Sequence, residues 1–207
     1  MTTFQQEDVR CPVCDEEFKA VRITSCGGRG QDTDLRPHFW GFDPLPHFVW
    51  TCPTCGVSAY SDEFTQLASA VRGWIRKGHL GRPQSKAASR RYTLAARCYE
   101  RAAAPALKVA FLYLRASWCA RKEGDMAAER LSQRRAVEYF RQALETGEAN
   151  AEEQSQVLYL LGELSRRLGD FEAALSYFDQ VPPGEWAELA ARQRALAEAG
   201  DSGNAVM

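Results

Sequence analysis

The pattern Cys11-Pro12-Val13-Cys14-Asp15 returns in outline at Cys52-Pro53-Thr54-Cys55-Gly56. Two residues separate the thiols in each copy, so both sulfur atoms can face one metal ion, and proline favours the tight turn between them. The position after the second cysteine often needs a left-handed backbone, which glycine adopts easily and aspartate tolerates. The two stretches therefore predict one closed, structural zinc site with the ligands Cys11, Cys14, Cys52 and Cys55.

Other uses of these cysteines stay open at the level of sequence. Iron suits the same four sulfur atoms, and two redox dithiols or a disulfide pair would use the same residues. Cys26, His38 and His47 are alternative ligands, although with four cysteines already paired we expect them to be bystanders. We expect Cys98 and Cys119, on helical faces, to be small buried apolar residues.

The composition of residues 1–60 predicts a small zinc-ribbon-like β module. The runs 18–23 and 48–51 have the composition of strands, and Gly27-Gly28-Arg29-Gly30 is predicted to be a turn or flexible loop. The 37 residues between Cys14 and Cys52 exceed the usual spacing of about 15–20 in paired knuckles, which predicts an inserted hairpin or loop.

The helical spacing of apolar residues in 61–207 predicts a helical domain, so we expect a mostly α fold. Ser61 or Asp62 is expected to cap the first helix, and Phe64, Leu67 and Val71 follow with helical spacing. Helices separated by glycine and proline then continue from about residue 86 to the end. The predicted breaks are at Pro105, Gly124-Asp125, Gly147, Gly169-Asp170 and Pro182-Pro183.

The helices repeat. The pattern Leu158-x2-Leu161-Gly162, followed by Gly169-Asp170 and by Ala174-x3-Phe178, resembles the tetratricopeptide helix pair, in which small residues allow close crossing and aromatic residues fill the gaps. Looser copies lie upstream, around Tyr113 to Phe140 and around Ala95. The two Gly-Asp steps are 45 residues apart, 11 more than the usual period, which predicts longer helices. A generic antiparallel helical bundle is the alternative.

Composition places the chain among globular proteins. Of its 207 residues 45% are hydrophobic and 26% charged, and no apolar run approaches the roughly 18 residues of a membrane span. The N-terminal residues lack the basic and apolar regions of a signal peptide, and C-x-x-C pairs outside a secreted protein favour metal binding. We therefore expect a cytoplasmic protein.

Charge is unevenly distributed. Residues 66–101 hold nine basic side chains and one acidic side chain, between two acidic ends. Clustered Lys and Arg are typical of phosphate contacts, which makes this basic belt the best indication of nucleic-acid or anion binding. A solvated helix face, or a belt that pairs with the acidic C-terminal part, is the simpler interpretation. The belt consists of Arg72, Arg76, Lys77, Arg82, Lys86, Arg90, Arg91 and Arg97.

A second polar group lies between the two knuckles. Asp32 and Asp34 alternate, so in a strand they would point to one face, and with His38 and His47 they are candidates for a second metal site or an acid–base pair. The alternative is that the aspartates cap turns and pair with nearby Arg29 or Arg36.

The same segment is rich in aromatic residues. They are either a surface for stacking on peptides or bases, or the contact between the β module and the helices, which we favour because a thin ribbon must bury aromatic rings somewhere. The cluster consists of Phe39, Trp40, Phe42, Phe48 and Trp50.

The order of these features resembles a bacterial family known as domain of unknown function 2225. The resemblance covers about residues 8–70 and rests on C-P-V-C-x3-F at 11–18, Asp32-Thr33-Asp34, the proline-containing aromatic stretch 43–50, C-P-x-C-G at 52–56 and a helix with Phe64. The helical part is similar in kind. The family has no established activity, so the resemblance implies an architecture and no function.

Three functions follow as hypotheses. Stacked helix pairs favour a non-enzymatic adaptor that binds a protein or peptide. The basic belt indicates a nucleic-acid-associated regulator as an alternative. A thiol oxidoreductase, or a metal hydrolase using Asp32, Asp34, His38 and His47, is the third, although the motifs of a nucleophile elbow, a phosphate-binding loop or H-E-x-x-H are missing.

Overall fold

The protein is described here by a computed structural model that covers residues 2–80, 83 and 86–204. Three two-stranded antiparallel sheets form its N-terminal part and helices form the remainder, so the described chain is mostly helical. The strands are β1 Thr3–Arg10, β2 Glu17–Ser25, β3 Gly28–Gln31, β4 Pro37–Phe39, β5 Val49–Thr51 and β6 Ser58–Tyr60, with a 3-10 turn at Leu45–His47. The helices are α1 Phe64–Arg76, α2 Ala88–Arg101, α3 Ala106–Glu123, α4 Met126–Glu145, α5 Ala151–Leu168, α6 Phe171–Asp179 and α7 Ala187–Glu198.

Each cysteine pair lies in the loop of a hairpin. Strands β1 and β2 pair from Thr3 opposite Ser25 to Arg10 opposite Glu17, which leaves the first knuckle as their connection. Strands β5 and β6 pair through Thr51 opposite Ser58 and enclose the second knuckle in the same way. The β3–β4 pair is the insertion between them, as the long spacing predicted.

Two local predictions were wrong. The glycine-rich segment predicted as a turn or loop contains strand β3, where Gly28 pairs opposite Phe39 and its carbonyl accepts a hydrogen bond from Trp40 Nε1 at 2.9 Å. The cap of α1 is Glu63, not Ser61 or Asp62, and it makes no side-chain cap hydrogen bond. Its carboxylate instead accepts from Tyr99 and Lys108, at 2.7 and 2.6 Å.

The two Gly-Asp steps form junctions of one type between helices. Gly124 and Gly169 end α3 and α5 in the left-handed conformation, with φ of 76° and 84°. The aspartate that follows each glycine caps the next helix by accepting a hydrogen bond from a backbone N–H three residues on. Helix α4, which follows the first step, has 20 residues, and α6, which follows the second step, has nine. The additional residues between the two steps therefore lie in α4.

One hydrophobic core extends from the strands to the last helix. The Trp50 ring of β5 meets the Phe64 ring of α1 edge to face at 6.0 Å, and Tyr92 of α2 donates a hydrogen bond of 2.7 Å to the Leu45 carbonyl. The hairpins are therefore held against α1 and α2 by buried contacts, which fixes the cysteine pairs relative to the helices. Among the described residues no helix is long and apolar enough to cross a membrane.

Candidate metal centre and the polar clusters around it

The two knuckles have the same backbone. The N–H of Asp15 donates to the carbonyl of Cys11 at 2.9 Å, and that of Gly56 donates to Cys52 at 3.1 Å. Asp15 and Gly56 have φ of 61° and 78°, the left-handed conformation that the sequence predicted at both positions. Each loop thus turns both of its thiols to one side.

The four sulfur atoms converge. Cys11 Sγ lies 3.7 Å from Cys55 Sγ, Cys14 Sγ lies 3.5 Å from Cys52 Sγ, and all four lie within 4.8 Å of one another. A tetrahedral zinc ion with Zn–S bonds of about 2.3 Å separates its sulfur ligands by about 3.8 Å, so the observed spacing fits one ion. These cysteines are free and not disulfide-bonded, so the alternative of a disulfide pair is wrong.

The donor set also fits the ion chemically. Hydrogen bonding with Cys52 and Cys55 lowers the pKa of Cys11 to about 2, whereas the contact with Cys11 raises the pKa of Cys52 to about 11 and also raises that of Cys55. Hydrogen bonds from neighbouring thiols therefore favour the thiolate form of Cys11. A metal ion that binds all four sulfur atoms would displace the protons of those thiols. Four cysteine sulfurs would hold zinc, or iron, in a closed site with no position for substrate.

Helix α1 supports the first knuckle. The Arg76 Nε donates a hydrogen bond of 3.1 Å to the carbonyl of Val13, between the two cysteines of that loop. Cys11 and Cys52 are fully buried, and Cys14 and Cys55 are half-buried. The metal centre is therefore enclosed on the side of the helices, and a basic side chain fixes the backbone between two of its ligands.

The other cysteines stand apart from this centre. Cys26 is exposed, and Cys98 and Cys119 are buried, as predicted. Burial raises the pKa of Cys98 to about 11 and that of Cys119 to about 12, so both remain thiols at neutral pH.

The second polar group has a different arrangement from the one considered above. Asp32 lies 2.7 Å from His38 Nε2 and 3.0 Å from Arg121 of α3. The His47 ring instead contacts the Phe42 ring, with the ring centres 5.1 Å apart and the planes tilted by 31°. Across the described residues, the four cysteines are the only group of three or more His, Cys, Asp or Glu side chains with ligand atoms close enough for a metal ion. The second metal site is therefore not formed there.

In the part of the chain that the structure describes, neither aspartate forms an ion pair with Arg29 or Arg36. Asp34 is fully buried, and its carboxylate lies 2.8 Å from Arg121 and 3.4 Å from Arg167 of α5. The segment 32–34 thus attaches the β3–β4 hairpin to two helices through charges that lie far away along the chain.

Helix α5 carries the buried acidic and basic residues that complete this cluster. Glu163 is fully buried and accepts from Arg166 at 2.9 Å, from Arg167 at 2.7 Å and from Thr33 Oγ1 at 2.5 Å. Arg166 also donates to the carbonyl of Asp201 at 2.7 Å, so the cluster holds the C-terminal segment. Sequence reasoning missed these residues, although three charges inside the apolar stretch 157–168 were a usable signal.

The aromatic cluster divides into buried and exposed members. Trp50 is buried, and Phe39 and Phe48 pack against the core, as the preferred interpretation predicted. Trp40 and Phe42 are exposed by 55% and 44%, and Phe42 contacts the equally exposed ring of Phe4 at 5.5 Å. The contact between the sheets and the helices therefore uses only part of the cluster.

The basic belt is divided between α1 and α2. Arg72, Lys77, Lys86 and Arg90 are exposed, and Arg76 is exposed although its Nε binds the first knuckle. Arg91 and Arg97 are half-buried, and Arg97 donates to the carbonyl of His79 at 3.0 Å. Arg82 lies outside the described residues. Within the part of the chain that the structure covers, no ion pair joins the belt to residues 145–204, so the predicted pairing with the acidic C-terminal part is not seen.

Comparison with known proteins agrees with the order of these features. A bacterial family described as "Uncharacterized protein conserved in bacteria (DUF2225)" matches residues 4–194, which include both knuckles and nearly all of the helices. No curated protein and no solved structure gives a significant match. The family match extends well beyond the N-terminal region on which the resemblance rested, and we conclude that the chain belongs to the DUF2225 family.

Proposed function

We propose that the protein is a non-enzymatic, cytoplasmic adaptor in which one structural zinc ion stabilises the N-terminal hairpins and tetratricopeptide-like helix pairs bind a protein partner. The zinc part of the proposal is supported by the four converging sulfur atoms. A closed set of four thiolates contributes folding energy and leaves no position for a reacting water or substrate, which argues against a metal-dependent enzyme.

An open groove between α2, α3 and α4 carries the adaptor proposal. Its volume is about 640 Å³, and Leu131, the large apolar side chain that lines it, is 61% exposed. Arg90, Arg135, Glu123 and Asp125 also line it, so its walls carry charges of both signs. An apolar contact between charges of both signs suits an amphipathic peptide segment, because interfaces combine an apolar centre with a polar rim.

The alternatives have less support. Binding to a nucleic acid backbone needs Lys and Arg on one surface, whereas Arg76 and Arg97 of the belt already bind backbone carbonyls. A dithiol oxidoreductase needs an accessible low-pKa thiolate. Cys11, whose pKa is lowered by hydrogen bonding with Cys52 and Cys55, is fully buried.

A variant pull-down tests the adaptor proposal. Purified full-length protein is immobilised and exposed to a lysate of a bacterium that carries a family member, and bound proteins are quantified by mass spectrometry. We expect Leu131→Glu to reduce recovery of specific partners by at least about tenfold, since a charge in the apolar centre of an interface is costly. Phe4→Glu is the control. It places the same charge at another exposed apolar residue, on β1, and is expected to keep the partners.

Two results would contradict the proposal. Equal recovery by Leu131→Glu and the unchanged protein would show that the groove is not the binding surface. Partners that are released by nuclease treatment would instead support the nucleic-acid alternative.

A further inference from the structure

A cleft beside the second knuckle has no part in the proposed groove. Two adjoining cavities of about 220 and 450 Å³ lie between β2, β5 and the first turn of α2. They share one wall, formed by Phe18, Lys19, Thr51 and Arg91. The larger cavity also reaches Pro53, inside the second C-P-x-C loop, and Lys86.

Arg91 is the distinctive residue of this cleft. Its Nε is buried and has no hydrogen-bond acceptor, and among the residues that the structure describes its guanidinium forms no ion pair. Burial of a guanidinium N–H without an acceptor is unfavourable, because the lost hydration is not replaced. Burial accordingly lowers the pKa of Arg91 from its ordinary value.

Two carboxylates act on this region, Glu123 on Arg91 and Asp43 on His47, and both are already occupied. Glu123 accepts hydrogen bonds from the N–H groups of Ala88 and Ser89, at 2.7 and 3.3 Å, and so caps α2 from outside. Asp43 is bound by Lys122 at 2.6 Å, by Arg36 at 3.3 Å and by a backbone N–H. Neither is the acceptor that Arg91 lacks.

The remaining walls define what kind of acceptor fits. Phe18, Val49, Trp50 and Pro53 offer apolar surface, and burial, together with the charge of Arg91, lowers the pKa of His47. Of the two lysines, Lys19 is paired with Asp8 at 2.8 Å and Lys86 is exposed at the rim. The cleft therefore combines one uncommitted guanidinium with an apolar surface.

We propose that this cleft binds a carboxylate that is carried next to an apolar side chain, as at the C-terminal end of a peptide. The planar fork of an arginine matches the two oxygens of a carboxylate, and the apolar walls accommodate the adjoining side chain. A phosphate monoester carries about two negative charges at neutral pH, more than one guanidinium balances. That the carboxylate belongs to a protein partner rests on the proposed adaptor function; the binding of the carboxylate itself does not.

The test uses small probes and the full-length metal-loaded protein. N-acetylphenylalanine supplies a carboxylate beside an aromatic ring, N-acetylphenylalanine amide removes the charge, and phenyl phosphate replaces the carboxylate. Binding is followed by calorimetry and by the Nε–H resonance of Arg91. We expect N-acetylphenylalanine to bind with a dissociation constant of about 1 mM, to shift that resonance, and to bind at least about tenfold more tightly than its amide.

Arg91→Gln is expected to weaken binding of N-acetylphenylalanine by at least about tenfold. The matched control is Arg72→Gln, which removes the same charge from an exposed position of α1 that lines neither this cleft nor the proposed groove, and it is expected to change binding less than about twofold. If Arg91→Gln folds poorly, the shift of the Arg91 Nε–H resonance in the unchanged protein still tests the proposal.

The proposal is overturned if the amide binds as well as the acid, if Arg91→Gln leaves the affinity unchanged, or if phenyl phosphate binds more than tenfold more tightly than the acid. No partner protein is present in these measurements. A negative pull-down therefore does not affect the measured binding of N-acetylphenylalanine. Equally, absence of that binding does not affect the result of the pull-down.

Discussion

Asp34 connects three parts of the chain through one buried carboxylate. It lies in the segment between β3 and β4, and its oxygens face Arg121 of α3 and Arg167 of α5. A buried charge is tolerated only when it is paired and hydrogen-bonded, and loss of one partner leaves the others uncompensated. Asp34 thus attaches the hairpin to two helices at once, beside the contacts of Asp32 and Thr33.

Asp34→Asn is expected to destabilise the protein by about 3 kcal/mol, because Arg121 and Arg167 lose their shared acceptor charge in a buried place. Urea unfolding of the metal-loaded protein, followed by circular dichroism, measures the change. Asp8→Asn is the control, since the Asp8–Lys19 pair is exposed and the unfolding midpoint should not move. Equal midpoints for both variants would show that the buried pair does not hold the hairpin.

Sequence identified Asp34 and its neighbour Asp32 as unusual, but it assigned them the wrong partners. Arg29 and Arg36 are close in sequence, whereas Arg121 is 87 residues from Asp34. Local spacing predicts partners only within one turn or one helix, and the pairing seen here is set by how α3 and α5 pack. The grouping of the four cysteines was predictable, because each C-P-x-C loop determines its own backbone conformation. A metal ion with four sulfur ligands also requires the two loops to lie close together.

Helix ends were predictable because glycine, proline and aspartate act on the backbone next to them. Gly124-Asp125 and Gly169-Asp170 end one helix and cap the next where the sequence indicated. The short strands β3 and β4 were not predictable, since their pairing depends on contacts such as Trp40 with the Gly28 carbonyl. Elements that are stabilised mainly by tertiary contacts carry little local signal.

The crossing of α5 and α6 depends on Gly162. A Cβ atom added there would lie 2.5 Å from Phe178 Cε1, closer than any real contact allows. This is the close approach that the pattern of small and aromatic residues predicted for this helix pair. Phe178 is 4% exposed, so its ring has little room to move away.

Gly162→Ala is therefore expected to destabilise the protein by about 2–3 kcal/mol through overpacking between α5 and α6. Adding Phe178→Leu should cost less in the Gly162→Ala background than in the unchanged protein, because the two residues share one contact. Gly73→Ala in α1 is the control: no atom lies within 4 Å of the added Cβ, so better helix propensity should stabilise the protein by about 0.5–1 kcal/mol. Thermal unfolding compares the unchanged protein with Gly162→Ala, Phe178→Leu, the double variant and Gly73→Ala. Additive effects of the double variant would contradict a direct contact.

At the scale of the whole molecule, the hairpins and helices are joined in three ways. The core is continuous from Cys11 to Ala197, the buried charges around Asp34 and Glu163 cross from the β3–β4 hairpin to α5, and Tyr92 binds the turn at Leu45. The change from strands to helices falls between β6, which ends at Tyr60, and α1, which begins at Phe64. The shared core favours a single cooperative unit across it.

Metal removal tests that cooperativity and the metal centre together. The purified protein should contain one zinc ion per chain, retained in Cys26→Ser and lost in Cys55→Ser, because only the latter removes a converging sulfur. Chelation should then lower the melting temperature by at least about 10 °C, since structural zinc contributes many kcal/mol to folding. Because one core joins the parts, the helical circular dichroism signal and the tryptophan fluorescence should shift by the same amount. Helices that melt at an unchanged temperature after chelation would mean that residues 61–207 fold independently of the metal centre.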